Sequence, residues 1–244
     1  MRESAADLTR GALDLLWPRA CHVCGGTLGG TREPWFCPPC REGLPLFADG
    51  DDLCATCGRP LGPATATGGC PDCRRLRPRF EAVRAAGAYR GGLRRLVTAF
   101  KYGRRPAFAW PLGDLLAARL AGWGPLRDGA ILVPFPTTAA ARRRRGFDPP
   151  ALLAAEVARR LRLPVAEGVL VRAGEPPPQA SLPRSGRLHA PRWTVGAARP
   201  GAVRGRVVLL VDDVLTTGAT ADEAARVLRA AGATRVLVAV AARA

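Results

Sequence analysis

Two sets of residues in this chain have side chains and spacings that imply chemistry. The first is its complement of eight cysteines, arranged as four Cys-x-x-Cys pairs: Cys21/Cys24, Cys37/Cys40, Cys54/Cys57 and Cys70/Cys73. Twelve residues separate the first pair from the second, and twelve separate the third from the fourth. Each Cys-x-x-Cys turn aims two sulfurs at one point, and two such turns complete the tetrahedral thiolate shell that zinc takes. A disulfide framework is the competing reading. The N-terminus, however, mixes acids with short leucine clusters and lacks a basic stretch followed by a long apolar run. A reducing, cytoplasmic setting is therefore expected, with the thiols free for metal. Two structural zinc ions follow, paired either sequentially (21, 24, 37, 40 and 54, 57, 70, 73) or in an interleaved way. Sulfur at all four corners closes such a site to substrate. His22, inside the first turn, reads as an exposed bystander and not as a ligand.

The second set is VVLLVDDVLTTGAT, residues 207–220. A strand-like apolar run enters two adjacent carboxylates, and neighbouring carboxylates repel each other, so folding alone gives no reason for them. Asp212 and Asp213 can accept hydrogen bonds from hydroxyls, or hold magnesium directly or through water. They cannot hold phosphate, because anion would face anion. Thr216, Thr217, Gly218 and Thr220 offer hydroxyls and main-chain N–H groups at a helix start, whose partial positive charge suits a phosphate monoester. A diol held at one end and a phosphate at the other describe a ribose 5-phosphate.

These residues need a frame. Leu93, Leu96, Val97 and Phe100 fall on one face of a short helix, and a second helical stretch covers about 112–120. Residues 130–136 (AILVPFP) read as a buried strand, followed by a basic loop over 137–146 with arginines at 142–145. Asp148 and Pro149 make a helix start, N-cap then N1, and LPVAEGVLV after that helix is strand-like. Strand, helix, strand implies a parallel sheet and an α/β fold. Residues 172–206, rich in Pro, Gly and Arg, fit no element. The C-terminal part predicts a strand over 207–211, a helix over 220–231 begun by a Thr220/Glu223 capping box, and a strand over 235–241. No apolar run is long enough to span a membrane.

The formal net charge is +17, and it sits in the middle of the chain: residues 81–206 hold 23 basic against 7 acidic side chains. Such a field attracts polyanions, although a general preference for arginine in an Ala-, Gly-, Pro- and Arg-rich sequence would also produce it. Lys101 is the only lysine among 37 basic residues, which suggests a use for a compact ammonium head.

The apolar run, two acids, two apolar residues and Thr-Thr-Gly-x-Thr resemble the phosphoribosyl pyrophosphate (PRPP) motif of type I phosphoribosyltransferases. The whole chain is similar to the ComF family of competence-associated proteins: a four-pair cysteine module, Lys101-Tyr102-Gly103, VPFP, Arg145-Gly146-Phe147 and PPQASLPRSGR. It departs from that family's usual pattern at Asp148-Pro149-Pro150, where Asn-Gln-Ala is common, and at His189, where Asn is common. The resemblance implies a helix over 1–20, a double zinc ribbon over 21–76, and a phosphoribosyltransferase-like parallel sheet flanked by helices over 77–244, with a flexible loop at about 172–206. It implies that Asp212 and Asp213 hold the ribose hydroxyls and that Thr216, Thr217, Gly218, Ala219 and Thr220 cradle the 5′-phosphate. Catalysis would fall to Asp212, Asp213, Lys101 and Arg145.

Arg142, Arg143, Arg144 and Arg145 are placed by their loop as pyrophosphate ligands, the alternative being a solvated charge run. Lys101, Gln179, Arg184 and Arg187 would form a hood and flap that exclude water. The implied reaction is magnesium-dependent transfer of phosphoribosyl with pyrophosphate release. Two other functions stay open: a PRPP sensor without turnover, and a single-stranded-DNA-handling competence factor. For the latter, Trp110, Trp123 and Trp193 lie in the basic segment, and other competence proteins would be partners.

Overall fold

The computed structural model describes residues 19–28, 34–62, 70–127, 129–173, 194–197 and 199–244. The helix expected over 1–20 falls almost wholly outside them. In chain order come helices α1 (Pro38–Glu42) and α2 (Pro71–Leu76), strand β1 (Ala82–Ala88), and helices α3 (Gly91–Tyr102) and α4 (Ala109–Leu120). Strand β2 (Ile131–Pro134), helices α5 (Ala139–Arg145) and α6 (Pro149–Leu161), and strands β3 (Leu170–Ala173) and β4 (Thr194–Ala197) follow. Strand β5 (Val207–Leu215), helix α7 (Ala219–Ala230) and strand β6 (Arg235–Arg243) complete the order.

Four strands form a parallel sheet in the order β1-β6-β5-β2. The central strands β5 and β6 carry the continuous apolar runs 207–211 and 236–242 because helices cover the sheet from both sides. On one face, Leu93, Leu96 and Phe100 of α3, Leu112 of α4, and Leu153 and Val157 of α6 pack against Leu209, Val211 and Leu237. The helical stripe expected at 93, 96, 97 and 100 is fully buried there. On the other face, Ala224 and Leu228 of α7 lie against Val208, Leu210 and Val238. The fold is thus the expected parallel α/β sheet flanked by helices. No helix among the described residues is long and apolar enough to cross a membrane.

Three local expectations are corrected. The strand-like LPVAEGVLV does not enter the sheet as a third parallel strand: only Val165 bridges to Leu132. Pro164 has no N–H to continue the ladder, and Gly168 turns the chain at φ 66°. β3, which takes in the last two residues of that stretch, pairs antiparallel with β4 in a separate two-stranded sheet, so parts of the segment assigned to no element form strands. The basic loop is instead helix α5. The Thr138 hydroxyl accepts from Ala141 N–H, alanine and arginine favour helix, and Gly146 closes the turn at φ 83°. Third, α7 begins one residue early with Gly218 as N-cap (φ 82°) and no side-chain cap, while Glu223 pairs with Arg226 at 2.7 Å.

The cysteine module resolves the pairing. Cys21, Cys24, Cys37 and Cys40 form one group and Cys54, Cys57, Cys70 and Cys73 another, with all sulfurs of a group within 4.8 Å of one another. The Cys24–Cys37, Cys54–Cys73 and Cys57–Cys70 sulfurs are each 3.8 Å apart. A zinc–sulfur bond of about 2.3 Å gives a tetrahedral edge of about 3.8 Å, whereas a disulfide needs about 2.05 Å. The geometry fits two zinc ions, sequentially paired. The Cys21 thiol is drawn down to about 6, since main-chain N–H groups of Cys24, Cys37 and Val23 outweigh the opposing effect of burial. Burial and the neighbouring sulfurs push Cys40 up to about 12.

Both ribbons are bound to the sheet domain. Residues 45–47 run along the free edge of β1, with Phe47 N–H donating to Ala86 and Ala88 N–H to Pro45, which removes an exposed strand edge. A Cβ on Gly87 would stand 2.2 Å from the Pro45 carbonyl oxygen, so only glycine permits this approach. Trp35 donates its indole N–H to Asp114 of α4 at 2.7 Å. His22 is not a bystander: its ring meets Trp35 and Phe108 edge-on, at 5.6 and 4.8 Å between centroids.

Candidate functional site

Side chains alternate across a strand, so adjacent residues at the end of β5 leave on opposite faces. Asp213 follows Leu209 and Val211 toward α3, and Asp212 follows Val208 and Leu210 toward the start of α7. On the α3 side, Lys101 in the last helical turn donates to Asp213 Oδ1 at 2.8 Å. The two side chains are only 21% and 4% exposed, so this is a desolvated pair. Burial pulls the Lys101 ammonium down, but the charge and hydrogen bond of Asp213, with Asp212 behind it, reverse this and raise it. The Asp212 carboxyl is raised well above the carboxylate range, first by burial and then by the Asp213 charge, although it accepts Asp213 N–H at 2.8 Å. Two acids sharing one lysine retain a proton more readily than either would alone.

A cavity of about 220 Å³ opens over this pair, lined by Lys101, Thr137, Thr138, Arg145, Asp212, Asp213 and Thr220 among others. It lies at the carboxyl ends of β2 and β5, where open parallel sheets receive ligands. Asp212 and Thr220 also line a smaller recess of about 30 Å³ that reaches Thr216 and Gly218. Gly218 adopts φ 82°, with Phe80 just behind where a side chain would begin. Because no side chain caps α7, its first N–H groups keep their capacity for an anion.

The structure separates the four arginines. Arg142, Arg143 and Arg144 are exposed, whereas Arg145 is half-buried and lines the cavity. The Arg145 guanidinium lies over the Tyr102 ring, 5.5 Å from its centroid, and its Nε is buried without a hydrogen-bond partner. A buried donor without an acceptor is costly and suits an anion that arrives from outside. Of the residues read from sequence, Lys101, Arg145, Asp212, Asp213, Thr216, Gly218 and Thr220 are brought together. Thr217 and Ala219 line neither recess; Ala219 N–H reaches the Thr217 hydroxyl at 3.4 Å. Gln179, Arg184 and Arg187 lie outside the described residues, as does His189. The sequence reading missed Thr137, whose hydroxyl donates to Asp148 at 2.8 Å and so fixes the wall of the cavity. The Thr-Thr pair after VPFP was the available signal. Asp148 caps α6 as expected, although at a long 3.5 Å to Ala151 N–H.

Residues 12–74 match the double zinc ribbon domain and residues 151–244 match the phosphoribosyl transferase domain. That order of domains is a ComF-like architecture. Among solved structures, the chain is similar to the TT1426 protein of Thermus thermophilus, at 23% identity over 54% of this chain and 72% of that one, with a TM-score of 0.34. It is also similar to adenine phosphoribosyltransferase of Leishmania tarentolae, at 23% identity over 54% and 55% of the two chains, with a TM-score of 0.35. The glutamine PRPP amidotransferase of B. subtilis is 23% identical over 59% of this chain and 30% of that one, with a TM-score of 0.39. No curated protein sequence matches the chain.

Proposed function

We propose that this protein is a PRPP-binding phosphoribosyltransferase of the ComF family. The observation that carries this is the convergence of two acids, an uncapped glycine-led helix start and an arginine whose Nε has no hydrogen-bond partner on one cavity and its adjoining recess. Asp212 and Asp213 accept hydrogen bonds from the ribose 2′- and 3′-hydroxyls, and residues 216–220 receive the 5′-phosphate. Arg145 meets the pyrophosphate, and Lys101 stabilises the acid pair. The donor set fits magnesium carried in by the substrate: all oxygen, with one carboxylate oxygen already held by Lys101 and another by a main-chain N–H. Bound magnesium would neutralise part of the leaving-group charge. Transfer to an acceptor base then releases pyrophosphate from the anomeric carbon.

The test is a calorimetric titration of PRPP with magnesium. Wild type is expected to bind, and the double variant Asp212→Asn/Asp213→Asn to lose binding; equal affinities would end this assignment. Release of pyrophosphate in the presence of candidate bases separates an enzyme from a sensor.

A second reading, single-stranded DNA handling during uptake with other competence proteins, is favoured by one feature. An open groove along α3 is lined by Arg94, Arg95, Thr98 and Tyr102, and Tyr102 is 65% exposed. Cationic grooves with exposed rings suit stacked bases. A polarisation titration across salt should give a steep negative slope, and a flat response would remove it.

A further inference from the structure

A buried arginine remains that the site above does not use. Arg243, near the end of β6, is 4% exposed, and a buried guanidinium usually faces a carboxylate. Here its partners are main-chain oxygens. Its Nε donates to the carbonyl of Cys57 at 2.9 Å, a ligand of the second four-cysteine site. Its Nη1 donates to the carbonyls of Leu215 at 3.0 Å and Thr216 at 2.6 Å, and also reaches the main-chain oxygen of Ala244. Leu215 and Thr216 are the residues from which the phosphate turn departs. One planar fork therefore joins the second zinc knuckle to the root of that turn.

Two further contacts run the same way. Phe80, four residues beyond α2, is 3% exposed and stands behind Gly218, within 3.5 Å of where a Cβ would be. Arg79 donates both its main-chain N–H and its guanidinium to Asp222 in the first turn of α7, at 2.5 and 2.7 Å. Arg229 of the same helix returns a hydrogen bond to the Arg79 carbonyl at 2.9 Å. The second ribbon and its exit linker thus touch the phosphate turn from its strand side, from beneath, and from its helix side. The first ribbon, by contrast, docks on α4 through Trp35.

We infer that Arg243 is a positioning residue through which the second zinc site sets the conformation of the phosphate turn, so that metal occupancy there and 5′-phosphate binding are coupled. The inference rests on the proposed PRPP site, and its test has an arm that does not. Coupling between sites is reciprocal: if zinc in the second ribbon favours the phosphate, the phosphate must favour that zinc. Arginine is required because one rigid fork must span three carbonyls, which an ammonium group does not do.

The experiment compares wild type with Arg243→Met and Arg243→Lys in the full chain. Exchange of the Asp222 amide, whose N–H closes the first turn of α7 on the Gly218 carbonyl at 2.8 Å, is expected to accelerate by about tenfold in Arg243→Met, while exchange in α4 and α6 stays as in wild type. PRPP affinity should fall by about tenfold, with affinity for magnesium pyrophosphate, which engages the Arg145 end, unchanged. Arg243→Lys should rescue neither. In wild type PRPP should slow the release of one of two zinc ions to a chromogenic chelator, and in Arg243→Met it should not. Unchanged exchange of the Asp222 amide, or a loss of PRPP and pyrophosphate affinity in equal measure, would overturn the inference. Failure of wild type to bind PRPP would remove the ligand assignment alone, since the exchange comparison needs no ligand.

Discussion

Replacing Lys101 with methionine isolates the electrostatics of the site. Methionine keeps most of the stem that crosses the core-facing side of α3 and removes only the ammonium. At 2.8 Å, and at an effective dielectric of about 20, the lost attraction to Asp213 is about 6 kcal/mol before desolvation is counted. Breaking a buried pair by deleting one partner leaves a net cost of about 3 to 5 kcal/mol. The acid pair, in which the Asp212 carboxyl is already raised and Asp213 has 4% of its side chain exposed, has an alternative to bearing that cost: it takes up a further proton. The pair then holds protons that both acids give up on unfolding, so the variant binds more protons when folded than when unfolded. Stability under that condition falls as pH rises.

The deficit of Lys101→Met against wild type should therefore be small near pH 5 and grow toward pH 7.5. One proton contributes at most about 1.36 kcal/mol per pH unit, or about 3.4 kcal/mol over that span. Urea unfolding of both proteins at the two pH values measures this difference directly. Adding Asp212→Asn and Asp213→Asn to Lys101→Met should remove the pH dependence, because the acids that hold the protons are then gone. A deficit that is the same at both pH values, or that shrinks as pH rises, would refute the account of a desolvated ammonium–carboxylate pair.

Gly218 at φ 82° should respond to backbone preference and not to size, since an added Cβ would sit at ordinary contact distance from Phe80. Gly218→Ala should cost about 1 to 2 kcal/mol in urea unfolding and Gly218→Asn less, because asparagine tolerates the left-handed region. Arg145→Ala should weaken magnesium pyrophosphate binding by about tenfold in calorimetry. Arg143→Ala, at an exposed position, should change it by less than about twofold, as a screened surface charge does. Native mass spectrometry should find two zinc ions per chain. Cys54→Ser or Cys70→Ser should lose one of them and retain the other, whereas loss of both would contradict the sequential grouping of sulfurs.

Much of this arrangement was legible in the sequence wherever the information is local. The repeated cysteine interval fixes which thiols can meet, and the structure only chooses between the two pairings. The helical stripe of Leu93, Leu96, Val97 and Phe100 needs nothing beyond its period. The acid-threonine-glycine turn follows β5 and precedes α7 as its residue types require. What was not legible depends on competition or on distance along the chain. The Thr220/Glu223 capping box matches the usual pattern, yet Gly218 takes the cap and Glu223 goes to Arg226. The arginine run reads as loop because charge dominates it, while its alanines and the Thr138 cap make it a helix. Arg243 gives no signal at all: its role arises from three carbonyls supplied by residues 27, 28 and 186 positions away.

Lys101 and Asp213 lie 112 positions apart, and their meeting explains a peculiarity of composition. The sequence places one lysine among 36 arginines, a choice that arginine preference cannot account for. At this position the partner is a carboxylate that faces the same cavity as Asp212. A guanidinium would cover both oxygens of Asp213 through its planar fork. An ammonium holds only Oδ1 and leaves the other oxygen for the proposed sugar hydroxyl. The alternation of β5 makes the arrangement possible, since it turns Asp213 toward the helix that carries the lysine and Asp212 toward the turn proposed to receive the phosphate. The two adjacent acids are therefore not a repeated function but two positions, one charge-compensated from within the fold and one left to be compensated by what binds.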